Sequence, residues 1–248
     1  MSKNNETGHA KNVANFAPFI STCKTFGVKF NPVKVALTTP KMELQLKAAQ
    51  KMMNDLNAAH GAYTTAVTER EMGFNDLYVL ASGILGALES SDTPKGIIAD
   101  AKTVIQKIKG TTRPKKSLSA AAGTNPEGPV SPAKNHASVK KSFDNRLESL
   151  DKLLALLSGN ANYKPNEAEL SIAGIKDMQA SLIATHNIAE VAYINLTDMR
   201  TQRDNILYLD ADNLFDITKA VKSYVRSVFK ASSNESKQLT RLKFTRIV

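Results

Sequence analysis

The residues best suited to do chemistry in this sequence form a tyrosine–arginine motif that occurs twice. Tyr63 and Arg70 are seven positions apart, as are Tyr193 and Arg200. A spacing of seven places both side chains on one stripe of a helix. Two such arginines, facing each other beside tyrosine hydroxyls, are suited to bind a phosphate or a carboxylate. The alternative, which these residue types favour, is that each arginine pairs with a helix carboxylate while the tyrosines fill the core.

Other residues that support catalysis or metal binding are sparse. Cys23 is the single cysteine and follows an apolar stretch, which is typical of a small core residue. The residues three positions before His60 and His186 are not the glutamates that di-metal helical bundles use. His9 and His136 fall in or beside segments that we expect to be flexible. With no nucleophile elbow, phosphate-binding loop or dinucleotide fingerprint, the sequence predicts a protein without enzymatic activity, metal or cofactor.

The net charge of +10 is concentrated in two segments. Residues 110–142 hold six Lys/Arg against one acid, residues 219–248 hold eight against one, and residues 143–218 hold six against twelve. One interpretation is that the basic C-terminal segment packs near the acidic region. The other is that the basic segments contact nucleic acid or an anionic membrane surface. The candidate contacts are Arg113, Lys115, Lys116, Lys134, Lys140, Lys141, Lys237, Arg241, Lys243 and Arg246.

Residues 110–137 are rich in proline and glycine and poor in large apolar residues, which predicts a flexible basic linker. The linker separates a first unit, 1–109, from a second unit, 138–248, and the two units are similar. A shift of 130 aligns residues 57–81 with residues 187–211 without a gap, and nine of the 25 positions are identical. Upstream, Phe-Asn-Pro at 30–32 aligns with Tyr-Lys-Pro at 163–165. The sequence therefore predicts an internal duplication.

Apolar residues recur in three- and four-residue steps through both units, and no segment shows the alternation of a strand. The first unit is predicted to contain helices near 12–27, 40–90 and 94–109. The second is predicted to contain helices near 138–158 and 167–207, followed by a helix that Asp212 caps. The predicted fold is all-α: an antiparallel helical bundle built from two pseudo-repeated helical units joined by a flexible linker.

Three segments are similar to a group of bacterial all-helical proteins with a duplicated unit, to which no activity is assigned. They are YKPNEAEL at 163–170, NILY at 205–208 and KQLTRLKFTR at 237–246. The resemblance implies the helical, duplicated architecture and contributes no function.

These observations predict a non-enzymatic structural or interaction protein that engages a protein partner or another copy of itself. One alternative is a nucleic-acid-associated protein that uses residues 110–142 and 219–246. A second alternative is a membrane-active helical protein in which Tyr78–Leu88 inserts into a bilayer. No apolar run reaches the length of a membrane span and no signal peptide is evident, so the expected location is cytoplasmic.

Overall fold

The structure is a computed structural model that describes residues 6–110 and 136–247. Within these ranges the chain forms helices and no strand, so the predicted all-α class is confirmed. The α-helices are α1 (Glu6–Thr25), α2 (Thr39–Glu89), α3 (Lys95–Ile108), α4 (His136–Ser158), α5 (Ile172–Asp204), α6 (Leu214–Phe229) and α7 (Asn234–Arg241). A π-helix at Asn205–Leu209 continues α5. Three-residue 3-10 turns lie at Gly27–Lys29, Val35–Leu37 and Ala168–Leu170.

The helix ends differ from the predicted ones where side chains make local hydrogen bonds. The cap of α6 is Asn213 and not Asp212, because the Asn213 side chain accepts a hydrogen bond from the Asp216 N–H at 2.8 Å. The short helix α7 was not predicted. It begins after Ser233, whose side chain accepts a hydrogen bond from the Ser236 N–H at 3.1 Å.

The chain divides into two compact units that do not coincide with the predicted sequence units. Unit 1 consists of Met1–Thr64 and Val191–Val248, and unit 2 consists of Thr65–Glu190. Both α2 and α5 therefore contribute residues to both compact units. The predicted boundaries at 109 and 138 fall inside unit 2, and the division of the sequence into two repeats and a linker stays a prediction.

The core of unit 1 forms where the apolar stripe of α6 meets residues of α1, α2 and the π-helix. Burying these side chains supplies the main free energy that holds the unit together, about 1.5–3 kcal/mol for each large one. The fully or almost fully buried members include Phe16, Phe19, Met42, Tyr208, Val221 and Val225.

The core of unit 2 joins the second part of α2 to α3, α4 and the start of α5. Its fully buried members include Leu77, Ile84, Leu88, Leu150 and Leu153. Within Tyr78–Leu88, Ala81, Ile84 and Leu88 are buried in this core, whereas Val79 is exposed. None of the helices in the described ranges has the length and apolar character needed to cross a membrane.

The turn that precedes each long helix has the same hydrogen bonds at a spacing of 133 residues. In both turns a 3-10 hydrogen bond closes the turn, and a hydroxyl then bonds back to the carbonyl three residues earlier. The corresponding pairs are Leu37 N to Lys34 O (3.0 Å) and Leu170 N to Glu167 O (3.1 Å), then Thr38 Oγ1 to Val35 O (2.7 Å) and Ser171 Oγ to Ala168 O (2.6 Å). This local likeness supports the predicted duplication.

Candidate functional site

Arg70, the first arginine of the repeated motif, is a buried residue of unit 2. Its side chain is 9% exposed, and its Nη1 lies 3.4 Å from Glu190 Oε1. The guanidinium also lies over the Phe143 ring, 4.4 Å from the centroid. The ring and the carboxylate enclose the charge, and the buried Nε has no hydrogen-bond partner. This geometry supports the structural interpretation of Arg70 over an open anion site.

His186 lies beside the same ring and links α5 to α4. Its Nε2 is 3.1 Å from Asp144 Oδ1, and its ring centroid is 6.2 Å from that of Phe143. Nδ1 of this histidine is buried without a hydrogen-bond partner. Arg70, Phe143, His186 and Glu190 therefore form a compact polar–aromatic cluster between three helices of unit 2.

The second copy of the motif lies in unit 1. Tyr193 and Tyr63 contact each other, with ring centroids 5.8 Å apart. Tyr193 is 39% exposed, so this pair does not form a dry core contact. Arg200 is half-buried in unit 1. The tyrosines of the two copies thus meet, and a facing arrangement of the two arginines stays a prediction.

Only some of the basic residues predicted to contact nucleic acid or an anionic surface lie within the described residues. Arg113, Lys115, Lys116 and Lys134 lie outside the described residues, as do the side chains of Lys140 and Lys141. Lys237 and Arg241 are exposed on α7. Lys243 and Arg246 follow α7 in a segment tied to α1: Asn15 Nδ2 donates to Lys243 O at 2.8 Å.

His9 is buried in α1, so it does not itself lie in a flexible segment. It is 4% exposed within α1, and its Nδ1 lies 2.9 Å from the Tyr208 hydroxyl. Asn12 Nδ2 donates to the same hydroxyl at 2.9 Å and to Thr245 O at 2.7 Å. Asn12 Oδ1 also accepts from Thr245 N at 3.0 Å. This network holds α1, the π-helix and the C-terminal segment together.

Cys23 is buried in unit 1, as its apolar neighbours predict. It is 1% exposed, and burial raises the pKa of its thiol to about 12. A nucleophilic cysteine requires the thiolate, so Cys23 is a packing residue.

We therefore expect Cys23 in the native protein to resist alkylation by iodoacetamide at pH 8 and to react fully in concentrated urea. Mass spectrometry measures both rates, and the native rate should be at least about a hundredfold lower because the thiolate is scarce and enclosed. The control is a C23A/A180C variant, whose new cysteine lies at an exposed position of α5 and should react rapidly without urea. Equal rates at the two positions would contradict the buried assignment.

The described residues contain no group of three or more His, Cys, Asp or Glu side chains that is placed to hold a metal ion. Unit 2 has an open cleft of about 1040 Å³ between the second part of α2 and the start of α5. Its large apolar lining residues are Val79, Leu80, Leu170 and Met178. Val79 is 72% exposed.

Two glycines and a tyrosine shape the cleft. A Cβ at Gly174 would lie 2.3 Å from Ala168 O, so this position requires glycine. A Cβ at Gly83 would lie 3.0 Å from Leu170 Cδ2, so a larger residue there would have to displace the leucine side chain. The Tyr163 hydroxyl donates to Leu170 O at 2.7 Å and fixes the turn that forms one wall. Burial, followed by the charge of Glu167, raises the pKa of Tyr163 to about 12, so this hydroxyl stays protonated and continues to donate.

Acidic side chains also line the cleft. The cleft is lined by four carboxylates, and no Lys or Arg is among its lining residues. Within the described ranges, none of the four has a basic group within 4.0 Å. They are Asp76, Glu167, Glu169 and Asp177.

Sequence reasoning did not identify this cleft, although three of its carboxylates belong to the acidic segment 143–218. The missing information was that the start of α5 packs on the second part of α2, about 90 residues earlier in the chain. Comparison with protein families, curated proteins and solved structures finds no match for this chain.

Proposed function

We propose that this protein is a non-enzymatic interaction protein whose acidic cleft in unit 2 binds a basic, amphipathic segment of a protein partner. The observation that carries the proposal is the combination of apolar lining residues with four carboxylates that have no basic group of the described residues within 4.0 Å. A ligand that fits both features has apolar side chains for the apolar lining residues and Lys or Arg side chains for the carboxylates.

The size and openness of the cleft favour a peptide segment over a small metabolite. Enclosed small-molecule pockets have volumes of about 300–1,000 Å³ and surround most of the ligand. This cleft reaches about 1040 Å³, and one of its lining residues is the strongly exposed Val79. Its lining contains no His, Cys or Lys. A groove of this kind suits an amphipathic helix that places its apolar anchors inward.

The charges of the cleft make binding selective for the charge of the ligand. The carboxylates that line the cleft attract a cationic segment and repel an anionic one, an effect that is strongest at low ionic strength. Because Asp76 and Asp177 are exposed, their replacement leaves the core of unit 2 intact.

The test uses a short synthetic Lys/Leu amphipathic peptide and its Glu/Leu counterpart in titration calorimetry with the full chain. We expect the Lys/Leu peptide to bind and the Glu/Leu peptide not to bind. A D76K/D177K variant should lose at least about tenfold in affinity, because two attractive charges become repulsive. An E89K/D100K variant changes the net charge equally at exposed positions of α2 and α3 that do not line the cleft, and is the matched control.

An equal loss of affinity for the Lys/Leu peptide in D76K/D177K and in E89K/D100K would show that only net charge matters and would contradict the proposal. The same pair of variants extends the test to the natural partner. Proteins recovered from the native cell with the wild type and with the control variant, and lost with D76K/D177K, are the expected ligands of the cleft.

A further inference from the structure

A second charged surface lies in unit 1 and has the opposite sign. Arg226 of α6 and Lys237 and Arg241 of α7 line a shallow cavity of about 560 Å³, together with Ala231 and Thr240. All three cationic residues are exposed. Lys237 and Arg241 are one helical turn apart on the same face of α7, and Arg226 completes the group from the neighbouring helix. We call this group of three residues the cationic triad.

The triad carries charge that the protein itself does not neutralise. No carboxylate lines the cavity, and no acidic group of the described residues lies within 4.0 Å of any of the three cations. The positive field extends along α6 to Lys222. Burial and then the charge of Arg226 lower the pKa of Lys222. An anion that binds at the triad therefore relieves repulsion that is present in the free protein.

The elements that present the triad are rigid. The turn between α6 and α7 passes through Lys230 with a φ of 73°, and Ser236 Oγ donates to Lys230 O at 2.8 Å. Lys222 Nζ donates to Leu242 O at 2.6 Å, which ties the end of α7 to α6. The cations are thus held on two packed helices, and binding requires little ordering beyond their own side chains.

We propose that the cationic triad binds the phosphate backbone of nucleic acid. A duplex carries about one negative charge per 1.7 Å of its axis. Its closely spaced phosphates therefore match a cluster of cations better than a ligand with an isolated carboxylate does. Arginine is well suited to bidentate phosphate contacts. The cavity lining contains no aromatic side chain, so the contact reads the backbone and not the bases.

A membrane surface is the less suitable polyanion. An amphipathic helix that lies on a bilayer buries its apolar face among the lipids. The apolar face of α6 is instead part of the core of unit 1, where Ile217 is 4% exposed and Val221 and Val225 are fully buried. This inference concerns a different unit and a ligand of opposite charge from the proposed cleft function, so either proposal can fail without the other.

The test measures fluorescence anisotropy of a labelled DNA duplex with the full chain over a series of salt concentrations. An R226Q/K237Q/R241Q variant should bind at least about tenfold more weakly at low salt. The slope of log affinity against log salt should fall by about 2.7, the value for three lost phosphate contacts. A K95Q/K102Q/K176Q variant removes the same charge from exposed positions of unit 2 and should retain wild-type binding within about twofold.

Three outcomes overturn the inference: wild-type protein that does not bind the duplex at low salt, equal loss in both triple variants, or binding to phosphatidylserine vesicles or polyaspartate as tight as binding to DNA. Circular dichroism melting of both variants provides the folding control. The substituted residues are exposed, so both should melt like the wild type. Titration of the Lys/Leu peptide into R226Q/K237Q/R241Q should give wild-type affinity, which separates this site from the cleft.

Discussion

Replacing Glu190 by alanine should destabilise the protein by about 3 kcal/mol, more than replacing its partner Arg70 by methionine, which should cost about 1 kcal/mol. The asymmetry arises because the Arg70 side chain is 9% exposed and that of Glu190 is 28% exposed. Loss of Glu190 leaves a guanidinium enclosed without its carboxylate. Loss of Arg70 leaves a carboxylate that water reaches, and methionine keeps the contact with the Phe143 ring.

Urea unfolding of the full chain, followed by circular dichroism, measures both changes. Glu71→Ala is the control, since Glu71 is exposed on α2 and should change the free energy of unfolding by less than about 0.5 kcal/mol. Equal losses for the Glu190 and Arg70 variants would show that the attraction of the pair dominates over the burial of the arginine charge. A greater loss for Arg70→Met would contradict the structural assignment of this cluster.

Replacing Tyr208 by alanine should cost about 4 kcal/mol, because the ring is fully buried in the core of unit 1 and leaves a large cavity. Replacing it by phenylalanine keeps the ring and removes only the hydroxyl. That change should cost about 2 kcal/mol, since His9 and Asn12 both lose their hydrogen bond to it. Thermal and urea unfolding measure both effects.

Loss of the Tyr208 hydroxyl should also change hydrogen exchange locally. Asn12 accepts from the Thr245 amide, so Tyr208→Phe should accelerate hydrogen exchange at Thr245 by loosening Asn12. Tyr224→Phe is the matched control: its hydroxyl accepts a hydrogen bond from Asn31 N at an exposed site, and its removal should cost less than about 0.5 kcal/mol. An unchanged exchange rate at Thr245 in Tyr208→Phe would contradict the role given to this network.

The sequence predicted the helices well because their apolar periodicity is a local property. The ends of α2, α3 and α4 follow from it within two residues, whereas α1 begins at Glu6 and not near 12, and α5 begins at Ile172 and not near 167. Helix α7 escaped prediction because its eight residues, NESKQLTR, include a single large apolar side chain and show no periodic stripe. Only the Ser233 cap marks its start, and a lone serine is a weak signal in sequence.

The contacts that define the candidate sites join residues far apart in the chain, and for this reason sequence reasoning missed them. Arg70 pairs with a carboxylate 120 positions away, and not with a neighbour on its own helix. His9 forms a hydrogen bond with Tyr208, 199 positions away, and is therefore part of the core of unit 1. Charge counts did anticipate an acidic region and a basic C-terminal segment, but they could not indicate which carboxylates share a cleft.

The division of the chain has a consequence for the order in which the protein forms during synthesis. Unit 2 is one continuous stretch, whereas unit 1 needs both its first 64 residues and those after 190. A ribosome therefore releases all of unit 2 before it has made the helices that complete the core around Phe16 and Phe19. During synthesis the N-terminal domain of a protein usually folds first, and here that order is reversed. Until α6 emerges, the apolar face of α1 stays uncovered, and a nascent-chain chaperone has its longest opportunity to act there.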